Sequence, residues 1–325
     1  MWISMKDIVT VGEILIDLTY SGRENGIPVY KANPGGAPAN VAVAAARLGA
    51  DTAFIGKVGQ DYYGGFLRQT LAENSVDTTG MLTDSEAPTT LAVVSVSETG
   101  ERSFSFYRKN CADTLLSSEE ISPDLLGNTR FLHFGSVSLT TDPTRAATLF
   151  AAKKAKELGA TVTYDPNYRA NLWTGEDVAV EQMKSVLDIV DILKISDEEL
   201  PLLTGTTDPE EGTRLLHEQY GIPLILLTLG PDGAYYRRGN ETGKAEGFKV
   251  KVADTNGAGD TFFGAFLSRM ASLGIYRPEE LSEAQLFESV RTANLAASMT
   301  TSRHGAIPAM PNLDELEEKL QAEVK

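Results

Sequence analysis

Short apolar runs alternate along most of the chain with segments in which apolar residues recur at helical spacing. The apolar runs predict buried strands at residues 8–12, 52–55, 130–134, 161–164, 191–195, 223–229 and 234–237. The helical spacing predicts helices at residues 38–48, 62–73, 142–158, 178–187, 197–203, 210–218, 258–273, 283–300 and 313–322. Buried strands that alternate with helices are typical of a parallel sheet covered on both faces. The pattern therefore predicts an α/β fold with a doubly wound, mostly parallel sheet flanked by helices.

Two segments depart from this alternation, at about residues 14–33 and 89–110. Both alternate polar and apolar residues and contain turn signals, such as residues 98–101 (Glu-Thr-Gly-Glu). We expect them to pair with each other in a small β-sheet that forms a lid over the functional site, although ordinary edge strands are the alternative. Residues 33–36 (Asn-Pro-Gly-Gly) predict a turn. Because no linker or repeat interrupts the chain, residues 1–325 are interpreted as a single domain with two lid insertions.

The charge balance narrows the classes of partner. The 325 residues include 45 acidic and 29 basic ones, for a formal net charge of −16. Such an acidic chain is unsuited to nonspecific binding of nucleic acid or of an anionic membrane. Cys111 is the single cysteine, and no run is long and apolar enough for a membrane span. We expect a cytoplasmic protein whose partner is a small molecule.

The stretch Asp254–Phe266 combines a polar, Gly-rich loop with the start of an apolar helix. The first N–H groups of a helix have no partner within it, and its dipole adds roughly half a positive charge there. Small residues at Gly257, Ala258 and Gly259 would let an anion approach this backbone closely. A carboxylate at Asp260, beside an anion site, suits a base that deprotonates a hydroxyl during phosphoryl transfer. The alternative is that Asp260 only caps its helix.

Other well-known site patterns are missing from the sequence. The phosphate-binding motif G-x-x-x-x-G-K-[ST] does not occur, and Phe262 stands where a dinucleotide fingerprint needs its third Gly. His133, His217 and His304 are too scattered for a metal site, and there is no G-x-S-x-G turn. The sequence therefore does not predict a site of any of these nucleotide-binding, metal-binding or hydrolase classes.

Four motifs occur in an order that matches a known family. They are residues 35–42 (Gly-Gly-Ala-Pro-Ala-Asn-Val-Ala), 56–61 (Gly-Lys-Val-Gly-Gln-Asp), 228–233 (Thr-Leu-Gly-Pro-Asp-Gly) and 254–262 (Asp-Thr-Asn-Gly-Ala-Gly-Asp-Thr-Phe). Together they span most of the chain and resemble the signatures of the ribokinase-like (PfkB-type) carbohydrate kinases. The resemblance implies a ribokinase-like fold with a β-sheet lid, a sugar substrate and ATP with Mg²⁺.

Three further segments are similar to fructokinases within that family: residues 104–108, 165–169 and 194–200. Ser196 departs from the broader family, which often has Asn there. The resemblance implies phosphorylation of fructose to fructose 6-phosphate. A kinase of 2-keto-3-deoxygluconate, ribose or aminoimidazole riboside is the nearest alternative. A noncatalytic sugar or nucleotide sensor and a dinucleotide-dependent oxidoreductase are the alternatives from other classes.

The resemblance also implies roles for individual residues. Those in catalysis are Asp260 as the base, Gly257, Ala258 and Gly259 as the anion hole, and Arg169 near the transferred phosphate. Those in sugar binding are Asp17, Gly35, Gly36, Asn40, Phe104, Phe106, Arg108 and Asn167. Those in ATP binding are Thr228, Gly230, Gly233 and Asn294. Taken singly, Asp17, Glu199 and Asn294 would be interpreted as ordinary structural or surface residues.

The resemblance implies metal sites as well. Glu199 would position Mg²⁺ through water, and Asp254 would bind a monovalent cation such as K⁺ with carbonyl groups near residues 302–305. Exposed lid strands could also pair between two subunits, which favours a homodimer that forms through the lid.

Overall fold

The computed structural model describes residues 4–96 and 102–323. Its strands are β1 (Lys6–Val11), β2 (Leu15–Glu24), β3 (Ile27–Gly35), β4 (Thr52–Gly59), β5 (Val76–Asp77), β6 (Met81–Asp84), β7 (Leu91–Val96), β8 (Arg102–Tyr107), β9 (Thr129–Gly135), β10 (Thr161–Asp165), β11 (Ile192–Ser196), β12 (Leu224–Thr228), β13 (Ala234–Arg238) and β14 (Glu241–Ala245). Its helices are α1 (Ala37–Arg47), α2 (Tyr62–Glu73), α3 (Pro123–Gly127), α4 (Thr144–Glu157), α5 (Glu176–Lys184), α6 (Leu200–Thr204), α7 (Pro209–Tyr220), α8 (Ala258–Ser272), α9 (Glu283–Thr301) and α10 (Leu313–Glu323). In this part of the chain, no helix is both long and apolar enough to cross a membrane.

The main sheet has the strand order β14-β13-β12-β11-β10-β9-β1-β4-β5, and β6 pairs with β4. The strands from β12 through β11, β10, β9 and β1 to β4 are parallel, whereas β13 and β14 are antiparallel additions. The predicted doubly wound, mostly parallel sheet is therefore confirmed. Strands β5, β6 and β14 were not predicted, because the first two are short and β14 is polar (Glu-Thr-Gly-Lys-Ala).

Helices cover the main sheet on both faces, which accounts for its apolar strands. On one face, α4, α5 and α7 contribute small and apolar side chains such as Ala151 and Met183 to the core. On the other face lie α1, α8 and α9. Helices α1 and α8 approach closely because α8 has Gly264 at the contact, where an added Cβ would lie 2.7 Å from the Cβ of Ala44. This close packing fixes the start of α8 relative to α1.

The two predicted insertions form a separate sheet with the strand order β3-β2-β7-β8. The pairing of β2 with β7 joins the two insertions, since Ile16 lies opposite Leu91 in parallel register. The small sheet is thus confirmed, while residues 98–101, the predicted hairpin turn, lie outside the described residues.

The prediction of a turn at residues 33–36 is wrong for its first three residues. Strand β3 continues to Gly35, and Pro34 lies opposite Ile16 of β2. Because β3 is the end strand of this sheet, the missing N–H of Pro34 need not remove a hydrogen bond between strands. Gly36 then starts α1 with a φ of 109°, where an added Cβ would lie 2.5 Å from the carbonyl oxygen of Glu13. A strand thus leads almost directly into the helix that carries Asn40.

Candidate active site

The start of α8 has the features that the sequence predicts for an anion site. The helix begins at Ala258, and Gly257 before it has a φ of 74°. A Cβ on Gly257 would lie 2.8 Å from that of Ala306, so both the backbone conformation and the space favour glycine here. No side chain caps the helix. The N–H of Ala258 makes only a long hydrogen bond, at 3.4 Å, to the carbonyl oxygen of Thr255, so the helix start and its dipole can still attract an anion.

Asp260 does not cap its helix, so that alternative is wrong. Its two carboxylate oxygens accept hydrogen bonds from the side-chain amides of Asn40, at 2.8 Å, and Asn167, at 2.9 Å. The side chain is buried, and burial raises the pKa of Asp260, while Asn40, Lys194, Arg169 and Asn167 act against this rise. Two amides thus hold a carboxylate whose raised pKa makes it a better base than an exposed Asp.

Asn167 reaches Asp260 from an uncommon backbone conformation. Its φ is 47°, which Asn tolerates better than most residues. The carboxylate of Asp165, at the end of β10, accepts a hydrogen bond from the backbone N–H of Asn167 at 3.1 Å and one from Lys194 Nζ at 2.9 Å. The ion pair with Lys194 is buried. Burial raises the pKa of Asp165, and the ammonium group of Lys194 acts against this rise. Neither Asp165 nor Lys194 has a role that was predicted from the sequence.

A small cavity of about 90 Å³ lies beside Asp260. It brings together the predicted residues Asp17, Gly36, Asn40, Phe106, Asn167, Arg169, Gly257 and Asp260. Asp17 faces Arg169 and Asp260 there, and burial raises its pKa to about 6. Gly35 does not line the cavity but lies against Asp17, since an added Cβ would collide with the Asp17 carboxylate. Polar and apolar side chains both line this cavity, and five of the eight predicted sugar residues are among them.

Besides Gly35, two predicted sugar residues, Arg108 and Phe104, are not among the residues that line the cavity. Arg108 is buried, and its Nε donates to Asp113 at 2.6 Å while its Nη1 donates to Thr140 at 2.6 Å. The side chain of Phe104 lies outside the described part of the structure, although its backbone belongs to β8. The assignments of both residues to the sugar therefore stay predictions.

Glu13 lines the same cavity and was missed by the sequence analysis. Its Oε1 accepts the backbone N–H of Ala37 at 3.0 Å, whereas its Oε2 is buried without a partner in the described structure. Burial raises the pKa of Glu13 to about 7. Its position just after β1, at the carboxyl edge of the predicted parallel sheet, is the signal that could have identified it.

A larger cavity of about 440 Å³ lies on the other side of the start of α8. Its lining includes the predicted residues Thr228, Gly230, Gly233, Ala258, Gly259 and Asn294. Apolar side chains such as Val250 and Phe262 form part of the wall. The side-chain amide of Asn294 donates to the carbonyl oxygen of Ala245 at 2.9 Å, so this residue also holds α9 against β14. The helix start thus lies between a small cavity of mixed polarity and a larger, more apolar one.

The two predicted metal residues are held by backbone N–H groups. Glu199 is buried and accepts hydrogen bonds from the N–H of Tyr168, at 2.7 Å, and of Ser196, at 2.9 Å. Asp254 accepts the N–H of Asn256 at 3.0 Å and that of Gly305 at 3.1 Å. Within residues 4–96 and 102–323, no group of three or more His, Cys, Asp or Glu side chains could hold a metal.

A buried carboxylate at a helix start, between a small cavity and a larger one, fits a site for phosphoryl transfer between two bound molecules. The chain belongs to the pfkB family of carbohydrate kinases, whose profile matches residues 5–313. It is 43% identical over 320 residues to "Probable fructokinase-6, chloroplastic" of Arabidopsis thaliana, covering 96% of this chain and 82% of that protein.

Two solved structures are similar over nearly the whole chain. The fructokinase of Xylella fastidiosa with bound ATP has a TM-score of 0.90 and 31% identity, covering 98% of this chain and 100% of that one. The fructokinase of Vibrio cholerae O395 bound to fructose, ADP and calcium has a TM-score of 0.86 and 36% identity, covering 97% and 98%. The family resemblance seen in the sequence is therefore confirmed.

Proposed function

We propose that this protein transfers the γ-phosphoryl group of ATP to the primary hydroxyl of fructose, which gives fructose 6-phosphate and ADP. The observation that carries the proposal is the position of Asp260 and the α8 start between the two cavities. A hydroxyl held in the small cavity and a phosphate held against α8 would meet beside the carboxylate. The fructokinases among the relatives support fructose as the acceptor.

The small cavity suits a polyol because two of the buried oxygen atoms around it lack hydrogen-bond donors. Glu13 Oε2 and Asn40 Oδ1 are both buried and have no hydrogen-bond donor within the described residues. A buried acceptor without a donor costs free energy, about 1–3 kcal/mol each. Sugar hydroxyls are donors and would satisfy both atoms. Asp17 and Arg169, which also line the cavity, would contact further hydroxyls or the phosphate.

In the proposed mechanism, Asp260 removes the proton of the sugar hydroxyl, whose oxygen attacks the γ-phosphorus as the bond to ADP breaks. Asn40 and Asn167 keep the carboxylate oriented through their hydrogen bonds. The N–H groups of Ala258 and Gly259, at the start of α8, stabilise the negative charge of the phosphoryl group. The proton then resides on Asp260 until product leaves. Each of these steps uses groups that lie at or next to Asp260 and the start of α8.

ATP would enter the larger cavity as its Mg²⁺ complex, with the nucleotide base toward Asn294 and the phosphates toward Gly259. Both carboxylate oxygens of Glu199 already accept backbone N–H groups, which suits a contact to Mg²⁺ through water better than a direct one. The metal would neutralise phosphate charge. Asp254, beside the loop at residues 302–305, is the proposed ligand of K⁺.

The small sheet is proposed to act as a lid on a single kinase domain. Phe106 of β8 lines the sugar cavity, so this sheet closes one side of it and would keep water from competing as acceptor. Ile27, Tyr30 and Tyr107 of the same sheet are large and exposed, at 67%, 42% and 65%. They support a homodimer that forms through the lid. The single cysteine, Cys111, supports a reducing compartment such as the cytoplasm.

Release of ADP from Mg·ATP across a panel of acceptors tests the function. The panel is fructose, ribose, 2-keto-3-deoxygluconate, glucose and aminoimidazole riboside, with and without K⁺. We expect the highest kcat/KM with fructose. A higher kcat/KM with another acceptor would support the kinase activity and show that its sugar substrate is not fructose. No turnover by folded protein that binds ATP would instead favour a noncatalytic sensor.

A further inference from the structure

We propose that Lys194, held by Asp165, is a positioning residue that places a fixed positive charge beneath the phosphoryl-transfer site and keeps Asp260 ionised. This inference rests on the proposed function and adds a residue to it. It begins from the location of Lys194 at the carboxyl end of β11, next to Asp165 on β10. Both side chains are buried, with exposures of 7% and 2%.

The ammonium group of Lys194 lies directly against the start of α8. A Cβ built on Gly259 would be 2.9 Å from Lys194 Nζ, so the glycine leaves room for this charge. Gly259 is the second residue of the helix and lines the larger cavity. The charge of Lys194 and the dipole of α8 therefore add at the place where the phosphates are proposed to lie.

The ammonium group of Lys194 also has N–H donors that make no hydrogen bond to the described residues. It can donate three hydrogen bonds, yet among the described residues its one acceptor is the Asp165 carboxylate, at 2.9 Å. A buried ion pair contributes little net stability to a fold, because the cost of desolvating both charges offsets most of their attraction. Burial lowers the pKa of Lys194, but Asp165, Glu199 and Asp260 outweigh this effect and the net change is a rise. The lysine thus stays charged among three carboxylates.

The pair is linked to Asp260 by charge and by hydrogen bonds. The charged groups that face Asp260 are Lys194 and Arg169, which favour its ionised form, and Asp17 and Asp165, which disfavour it. Asp165 also holds the backbone of Asn167, whose side chain donates to Asp260. Removal of Lys194 or of the Asp165 charge should therefore change the pKa of Asp260 in opposite directions.

The test is the dependence of kcat/KM on pH in three variants. Lys194→Met removes a positive charge, so we expect the acid limb of the profile to move up by about one pH unit. Asp165→Asn removes a negative charge and retains the lysine, so we expect that limb to move down. Lys6→Met is the matched control, because Lys6 is also buried and paired with two carboxylates, Asp51 and Asp77, but on β1 outside both cavities. It should lower the melting temperature and leave the profile in place.

We also expect Lys194→Met to lower kcat at a pH below the limb while the KM for the sugar changes less than about twofold. The inference would be overturned if Lys194→Met and Asp165→Asn moved the acid limb of the pH profile in the same direction. It would also be overturned if Lys194→Met, like Lys6→Met, left the acid limb where it is in the wild type. A cooperative thermal unfolding transition shows whether each variant is folded, and Asp165→Asn decides the question by itself if Lys194→Met fails that check. A wild-type protein with no turnover on any acceptor would contradict the proposed function, whereas an active wild type with unmoved limbs contradicts only this inference.

Discussion

The buried carboxylate of Glu13, whose Oε2 has no hydrogen-bond partner among the described residues, makes the stability of the ligand-free protein depend on pH. Burial raises its pKa from an ordinary value of 4.5 to about 7. The difference of about 2.5 units corresponds to about 3 kcal/mol, because each unit is worth about 1.36 kcal/mol. A raised carboxyl pKa means that the folded state holds the proton more tightly. The stabilisation is complete below pH 4.5 and is lost as the pH rises through 7.

Glu13→Gln removes this dependence with little change of shape. The amide keeps an oxygen for the N–H of Ala37 and has no charge to bury. Between pH 5 and pH 8 the titration of Glu13 should lower the free energy of unfolding of the wild type by about 2.5 kcal/mol. The variant has no such carboxyl group and should not show this decrease. The variant should therefore gain stability relative to wild type by roughly 4 °C in melting temperature over that range. Asp17 and Asp165 titrate in both proteins and cancel in the difference.

The assay is thermal unfolding of ligand-free protein at pH 5, 6, 7 and 8. Glu318→Gln, at an exposed position on α10, is the control for loss of an acidic charge and should show a constant difference from wild type. An equal gap between Glu13→Gln and wild type at pH 5 and pH 8 would refute the reasoning. In catalysis the same variant should raise the KM for fructose about tenfold or more, because an amide N–H replaces the acceptor proposed for a hydroxyl.

The remaining predictions concern the base and the lid surface. Asp260→Asn should lower kcat by about 10²- to 10⁴-fold, since the amide cannot take the proton, while calorimetry should still show sugar binding; turnover within tenfold of wild type would rule out Asp260 as the base. Sedimentation velocity of the wild type should show a dimer, and Ile27→Lys should shift it toward monomer, because Ile27 is 67% exposed on the small sheet. A wild type that sediments as a monomer at micromolar concentration would contradict a dimer formed through the lid.

Much of the fold follows from local patterns that hold in any context. The apolar runs at β9 to β12 are buried on both faces of a parallel sheet, and this is the pattern from which they were predicted. Strand β14 escaped prediction because it lies at the end of the sheet and is partly exposed. The turn assigned to residues 33–36 was wrong because Pro and Gly favour turns locally, whereas pairing with β2 extends the strand to Gly35.

The site shows the same division between local and long-range information. The helix start beside Gly257 and Asp260 could be predicted, because a polar, Gly-rich loop that leads into an apolar run is a local pattern. Glu13 and Lys194 carried no such local signal. Glu13 is identified by an oxygen without a partner, and Lys194 by its contact with Gly259, which lies 65 residues further along the chain.

The sequence by itself determined the class of fold, the family and the position of helix α8, since these depend on periodicity and on contiguous motifs. Only the tertiary structure decided which side chains surround Asp260 and which charges control its pKa. Asn40 reaches Asp260 across 220 residues of sequence and Asn167 across 93. Burial, a missing hydrogen-bond partner and the sum of nearby charges are properties of three-dimensional proximity, and no local pattern of residues encodes them.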